Sequence, residues 1–185
     1  MKKLAILASG SGTNAEKIME FFKNSDKGEV TLLASNKGDA YALERAKKFG
    51  VPTFTFSKTE MEDGLVLEKL QDAGIDWIIL AGFLLKIPES LILAFPERMV
   101  NIHPALLPKF GGKGMYGMNV HQAVKDAGES HTGITIHLVN ENFDEGKIIF
   151  QAATEIDPSD DPEAIAAKVH RLEHQYFPEV IESLL

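Results

Sequence analysis

The chain has 185 residues, 44% hydrophobic and 25% charged, and 19 Lys and Arg against 27 Asp and Glu give a net charge of −8. This is the composition of one globular domain, and its acidic balance argues against a binder of nucleic acid or of an anionic membrane. There is no cysteine, which excludes disulfide frameworks, thiolate zinc sites and cysteine nucleophiles.

Leu4–Ala8 is short and wholly apolar, as expected of a strand covered on both faces. It is too short for the apolar core of a signal peptide. No stretch approaches the ~20 apolar residues of a membrane span, so a cytoplasmic protein is expected. A turn at Ser9–Gly12 precedes a helical pattern to about Lys23, with Ile18, Phe21 and Phe22 on one side. Val30–Ala34 reads as a second strand, Ala40–Phe49 as a helix stopped by Gly50, and Thr53–Phe56 as a third strand. Glu60–Ala73 reads as one helix ended by Gly74, Trp77–Leu80 as a fourth strand, Pro88–Phe95 as a short helix, and Met99–His103 as a fifth strand. Thr132–Val139 and Ile148–Thr154 read as an antiparallel pair, and Pro162–Leu185 as a last helix, bent near Pro178. The succession predicts an α/β fold, a single domain over residues 1–185. Its sheet is doubly wound, Rossmann-like and mostly parallel, with an antiparallel C-terminal strand pair.

The first loop, ASGSGTNA, carries Gly10, Gly12 and Ala15 in the spacing G-x-G-x-x-A, which lets backbone N–H groups approach an anion at a helix N-terminus. A dinucleotide site also expects an acidic residue after strand two, and Ala34–Lys37 supplies none. A single phosphate is favoured. The structural alternative is a tight turn with Thr13 or Asn14 as helix cap.

Asn101 and His103 stand two apart at the end of strand five, so both side chains face one way. Pro104 marks the strand end. An amide donor beside an imidazole suits acyl chemistry, the amide stabilising an oxyanion and the imidazole moving a proton. Asp144, in the turn NENFDEG, would orient the His103 ring and raise its pKa if the two meet. His137 reads as a hydrogen-bonded core residue or as a support for the site. No nucleophile elbow or metal-binding spacing is present.

The segments SGSGTN, SNKGDAYALERA, ILAGFL, NIHPALLPKF, HTGITIHLV, DEGKIIFQ and RLEHQYFP, in that order, resemble the phosphoribosylglycinamide formyltransferases, a branch of the folate-dependent formyltransferases. The resemblance implies transfer of formyl from 10-formyltetrahydrofolate, a cosubstrate, to the amine of glycinamide ribonucleotide in purine biosynthesis. No metal, nucleic acid or membrane is expected to take part, and a monomer or homodimer is expected. It matches Asn101, His103 and Asp144 to the catalytic residues, with a protonated His103 beside Asn101 at the oxyanion. Gly12, Thr13, Asn14, Pro104 and Glu173 match ribonucleotide-binding positions. Phe83, Leu84, Leu85, Lys86 and Ile87, with Asn140, Glu141, Asn142 and Phe143, match segments enclosing the folate.

The chain departs from that pattern in three places. Leu85 replaces an Arg that many members carry, residues 110–120 are longer and richer in glycine, and a frequent C-terminal tail is missing. Gly111, Gly112, Gly114 and Gly117 suggest either a lid over the ribonucleotide, with Lys113 near its anionic end, or a flexible surface insertion. Related readings fit less well. A methionyl-tRNA formyltransferase needs an added RNA-binding domain, and a formyltetrahydrofolate deformylase usually carries an N-terminal regulatory domain. A non-catalytic phosphate-binding module leaves Asn101, His103 and Asp144 unexplained.

Overall fold

A computed structural model describes all residues, Met1–Leu185. Seven strands form one sheet in the order β3-β2-β1-β4-β5-β6-β7. They are β1 (Lys2–Leu7), β2 (Gly28–Ser35), β3 (Thr53–Thr55), β4 (Trp77–Leu80), β5 (Met99–His103), β6 (His131–Leu138) and β7 (Ile148–Glu155). β1 to β5 are mutually parallel, whereas β6 and β7 run antiparallel to their neighbours, as expected from the sequence.

Helices cover both faces: α1 (Thr13–Phe22), α2 (Tyr41–Lys48), α3 (Lys58–Glu62), α4 (Leu65–Asp72), α5 (Glu89–Ala94), α6 (Met118–Asp126) and α7 (Pro162–Leu184). The apolar strands divide their side chains by alternation. Leu4 and Ile6 of β1 join Ile18, Phe22, Phe177 and Ile181 on the α1–α7 face. Ala5 and Leu7 join Val66, Leu70, Ile78 and Leu91 on the other. Each such fully buried Leu or Ile side chain contributes ~1.5–3 kcal/mol.

The helical segments differ from the sequence reading at two points. The helix expected over Glu60–Ala73 is two helices. α3 starts at a capping box, in which Ser57 Oγ accepts from the Glu60 amide and the Glu60 side chain accepts from the Ser57 amide. Gly64, at φ 95°, then breaks the run and begins α4. Helix α6 was not expected at all, because the glycines before it obscure its start. The last helix forms where it was expected and contains Pro178; it is started by the Asp161 side chain accepting from the Ala164 amide at 2.8 Å.

The strand order reverses between β1 and β4. The chain winds outward from β1 to β3, then returns to lay β4 on the other side of β1. The loops leaving the carboxyl ends of β1 and β4 therefore diverge onto opposite faces and open a crevice between them.

Candidate functional site

A cleft of about 710 Å³ occupies that crevice. Its walls come from Ser9–Asn14 after β1, Ala81–Ile87 after β4, Asn101–Pro104 at the end of β5, Gly112–Met118 before α6, and the loop after β6.

The loop after β1 turns its carbonyls away from the cleft. Gly10 O accepts from the Ala42 amide at 3.1 Å, Ser11 O from Arg45 Nε at 2.8 Å, and Gly12 O from the Glu16 amide at 2.9 Å. The first amides of α1 are left toward the cleft, where the helix dipole also favours an anion. Gly12 itself begins α1 in a left-handed conformation, φ 74°, without a side-chain cap. This corrects the alternative in which Thr13 or Asn14 caps the helix. A Cβ on Gly12 would lie 2.5 Å from that of Ala42, so α1 and α2 approach too closely for any other residue. Asn14 donates instead to Glu173 Oε2 on α7, at 2.9 Å, and His170 Nδ1 lies 2.8 Å from the same oxygen. Thr13, Asn14 and Glu173 thus stand together.

Asn101 and His103 share a face of β5, as their spacing predicts, and both line the cleft. His103 is 3% exposed. Its Nε2 lies 2.7 Å from Phe110 O; a carbonyl only accepts, so Nε2 carries the hydrogen. Its Nδ1 lies 3.5 Å from Asp144 Oδ2. Phe110 and Asp144 both hold left-handed backbone, φ 55° and 57°, a costly conformation for residues with side chains.

The loop below His103 is pinned from β6 and β7. Thr135 Oγ1 donates to Ala105 O and accepts from the Leu107 amide, and Gln151 donates to both Thr135 Oγ1 and Leu107 O.

His137 pairs with Asn101 across β5 and β6. Its Nδ1 donates to the Leu138 carbonyl at 2.9 Å, which leaves Nε2 to accept from Asn101 Nδ2 at 3.1 Å. The second N–H of Asn101 remains for a ligand. Asp144 Oδ1 lies 3.6 Å from the same His137 nitrogen, and the Gly112 amide donates to Asp144 Oδ2 at 2.9 Å. His137 is buried and hydrogen-bonded, as the core reading expects, and it stands beside both Asn101 and Asp144.

The register sets Leu138 beside Val100, below His103, so the chain after β6 turns back to bring Asp144 to the imidazole. Gly146 permits the return. A Cβ there would sit 1.6 Å from the Leu138 carbonyl oxygen.

Burial dominates the protonation of His103 and pulls its pKa below the ordinary 6.5, although Asp144 and the Phe110 carbonyl push it up. Asp144 acts in the expected upward direction, but desolvation outweighs the carboxylate. Burial alone would raise the Asp144 carboxyl, but His137, His103 and the Gly112 amide together bring it below its ordinary value. His170 is raised by its bond to Glu173.

Phe83, Leu84, Leu85, Lys86 and Ile87 line the opposite end of the cleft with Asn140, Asn142 and Phe143. Glu141 does not. Asn140 Oδ1 accepts from the Asn142 amide at 3.0 Å, a tight turn that leaves Glu141 exposed at its tip. Leu85 packs toward the core, and Lys86 is exposed at the rim. Pro104 and Lys113 also line the cleft.

The sequence reading missed Ser9, His121 and His170. Ser9 Oγ donates to Asn36 Oδ1 at 2.6 Å and accepts from the Leu84 amide at 3.0 Å, joining the loops after β1, β2 and β4. His170 lies three residues before Glu173, a helical spacing that could have revealed it. His121 lies in the unexpected helix. No group of three or more His, Asp or Glu side chains is placed to hold a metal ion, and no helix is long and apolar enough to cross a membrane.

A family model described as formyl transferase matches residues 2–181. A chloroplastic phosphoribosylglycinamide formyltransferase of Arabidopsis thaliana is 45% identical over 99% of this chain and 65% of that protein. The Vigna unguiculata relative is 42% identical, and the chain spans 61% of its length. The phosphoribosylglycinamide formyltransferase of Bacillus subtilis strain 168 is 38% identical over 100% of this chain and 95% of its own. The crystal structure of glycinamide ribonucleotide transformylase 1 from Geobacillus kaustophilus superposes with a TM-score of 0.91 at 38% identity, covering 100% of this chain and 99% of that one. The match spans the loop after β1, the end of β5 and the turn at Asp144 alike, and on this ground the chain belongs to the formyl transferase family, among its phosphoribosylglycinamide formyltransferases.

Proposed function

We propose that this protein transfers the formyl group of 10-formyltetrahydrofolate to the amine of glycinamide ribonucleotide, a step of purine biosynthesis. The observation that carries the reading is the meeting of Asn101, His103 and Asp144 in one cleft, with Asp144 Oδ2 3.5 Å from the His103 ring. The names of full-length relatives support the substrate.

The ribonucleotide phosphate sits on the amides of Gly12, Thr13 and Asn14, with Glu173 and Pro104 on its sugar side. The folate lies between Phe83–Ile87 and Asn140–Phe143; Glu141 is withdrawn from that set. The amine attacks the formyl carbon, and the carbonyl oxygen becomes an oxyanion. The free N–H of Asn101 meets that oxyanion in a site already shaped for it. His103 is neutral at rest. It takes up the proton that leaves the amine and gives it back for the folate nitrogen; while it is charged, its Nδ1–H faces the ionised Asp144, which stabilises the imidazolium beside the oxyanion. The bond from carbon to the folate nitrogen then breaks. One proton leaves the amine and one joins the folate nitrogen, relayed by Asp144 through a water. No covalent enzyme intermediate forms.

The test is direct. Purified protein is mixed with glycinamide ribonucleotide and 10-formyltetrahydrofolate, and tetrahydrofolate production is followed. Release that depends on the ribonucleotide is expected. Release without it would show a hydrolase, and no release with phosphate ligands still binding would show a binding module.

A further inference from the structure

Opposite Glu173, His121 of α6 forms part of the cleft wall and is 2% exposed. Its ring lies edge-on to that of His170, with centroids 6.4 Å apart. Nδ1 is sealed from solvent and has no hydrogen-bond partner. A buried polar atom left in this state weakens the fold. Packing alone does not ask for it, since Val120 and Val124 are the other buried residues of the helix. A polar side chain kept at a cost to stability points to a ligand.

The ring's chemistry says which kind. Burial, and then the charge of His170, hold its pKa below the ordinary value. Protonation would also seal a second N–H with no acceptor. The imidazole is therefore neutral with its hydrogen on Nε2, the nitrogen through which the ring meets the cleft. It offers a donor where Glu173 offers an acceptor. Glu173 and His103 line the same cleft as His121 and both act on it electrostatically, so the sugar end and the formyl-transfer end are both in its neighbourhood. In glycinamide ribonucleotide the group spanning those ends is an amide, and its carbonyl oxygen is the acceptor there.

We infer that His121 is a further substrate-binding residue whose Nε2–H donates a hydrogen bond to the amide carbonyl oxygen of glycinamide ribonucleotide. The inference rests on the function proposed above. The bond holds the linker so that the amine points at the formyl carbon. It also lets the cleft discriminate against ligands lacking that oxygen.

The test is calorimetric binding of glycinamide ribonucleotide and of its thioamide analogue, in which sulfur, a weak acceptor, replaces the oxygen. No folate is present. Wild type should prefer the amide by about 5- to 10-fold. His121→Leu should bind the two equally and melt at a higher temperature than wild type, because the orphaned nitrogen is gone. His121→Gln, which keeps an N–H, should regain part of the preference. A Leu variant that keeps the full preference, or that melts lower or fails to fold, overturns the inference. A wild type that binds neither compound overturns the proposed function, and the inference with it.

Discussion

His103 is held by two loops rather than by its own strand. One ring nitrogen donates to Phe110 O and the other faces Asp144. Replacing it with Ala should lower kcat by ~10²–10⁴-fold, the usual scale for a proton-transfer group. Steady-state kinetics should show the ribonucleotide KM nearly unchanged. Asp144→Asn removes the charge that opposes desolvation. The His103 titration, followed by NMR, should then move further below 6.5, the ordinary value for histidine; an unmoved titration would deny the coupling. The sequence made the Asn101–His103 pair legible because strand alternation fixes which residues share a face. It left the partner nitrogens unreadable. Those contacts depend on left-handed backbone at Phe110 and Asp144, which no short-range pattern announces.

The parallel strands were readable from short apolar runs, since strands buried on both faces carry no polar alternation. Glycine was the weaker guide. It ended α2 as expected at Gly50, split an expected helix at Gly64, and hid the start of α6 behind Gly117. Two predictions belong at this scale. Gly12→Ala forces a side chain into α2 on left-handed backbone. It should destabilise the protein by more than ~1 kcal/mol in chemical denaturation and abolish phosphate binding. Shortening residues 112–117 by deletion should raise the ribonucleotide KM and lower turnover, because this loop lines the cleft and its Gly112 amide holds Asp144. Unchanged constants would make the segment a surface insertion.

Across the whole molecule, four of the histidines have shifted titrations. Burial lowers His103, His121 and His174, while a bond to Glu173 raises His170. A histidine lowered on folding takes up protons more readily when unfolded, so it withdraws stability as pH falls through the unfolded value near 6.5. His170 acts in the opposite sense. With three against one, the melting temperature should fall between about pH 7.5 and pH 5.5, measured by scanning calorimetry at constant ionic strength. Asp144, lowered on folding, adds a further loss only in stronger acid, as pH drops through its folded value below 3.8. The sheet's overall winding was legible in the sequence because each strand-to-helix alternation is local. The convergence of residues 14, 103, 121, 144 and 173 was not, since strand order and the turn back after β6 bring them together only in three dimensions.

Under the function proposed above, the bond from the Gly112 amide to Asp144 joins the loop on the ribonucleotide side to the loop on the folate side. Each loop is a wall for a different compound, yet neither can be ordered without bearing on the other. The two dissociation constants are then thermodynamically linked. Whatever factor the ribonucleotide applies to the affinity for folate, folate must return to the ribonucleotide. Where that factor exceeds one, the cleft favours the ternary complex over either half-filled state, and so favours transfer over loss of the formyl group to water.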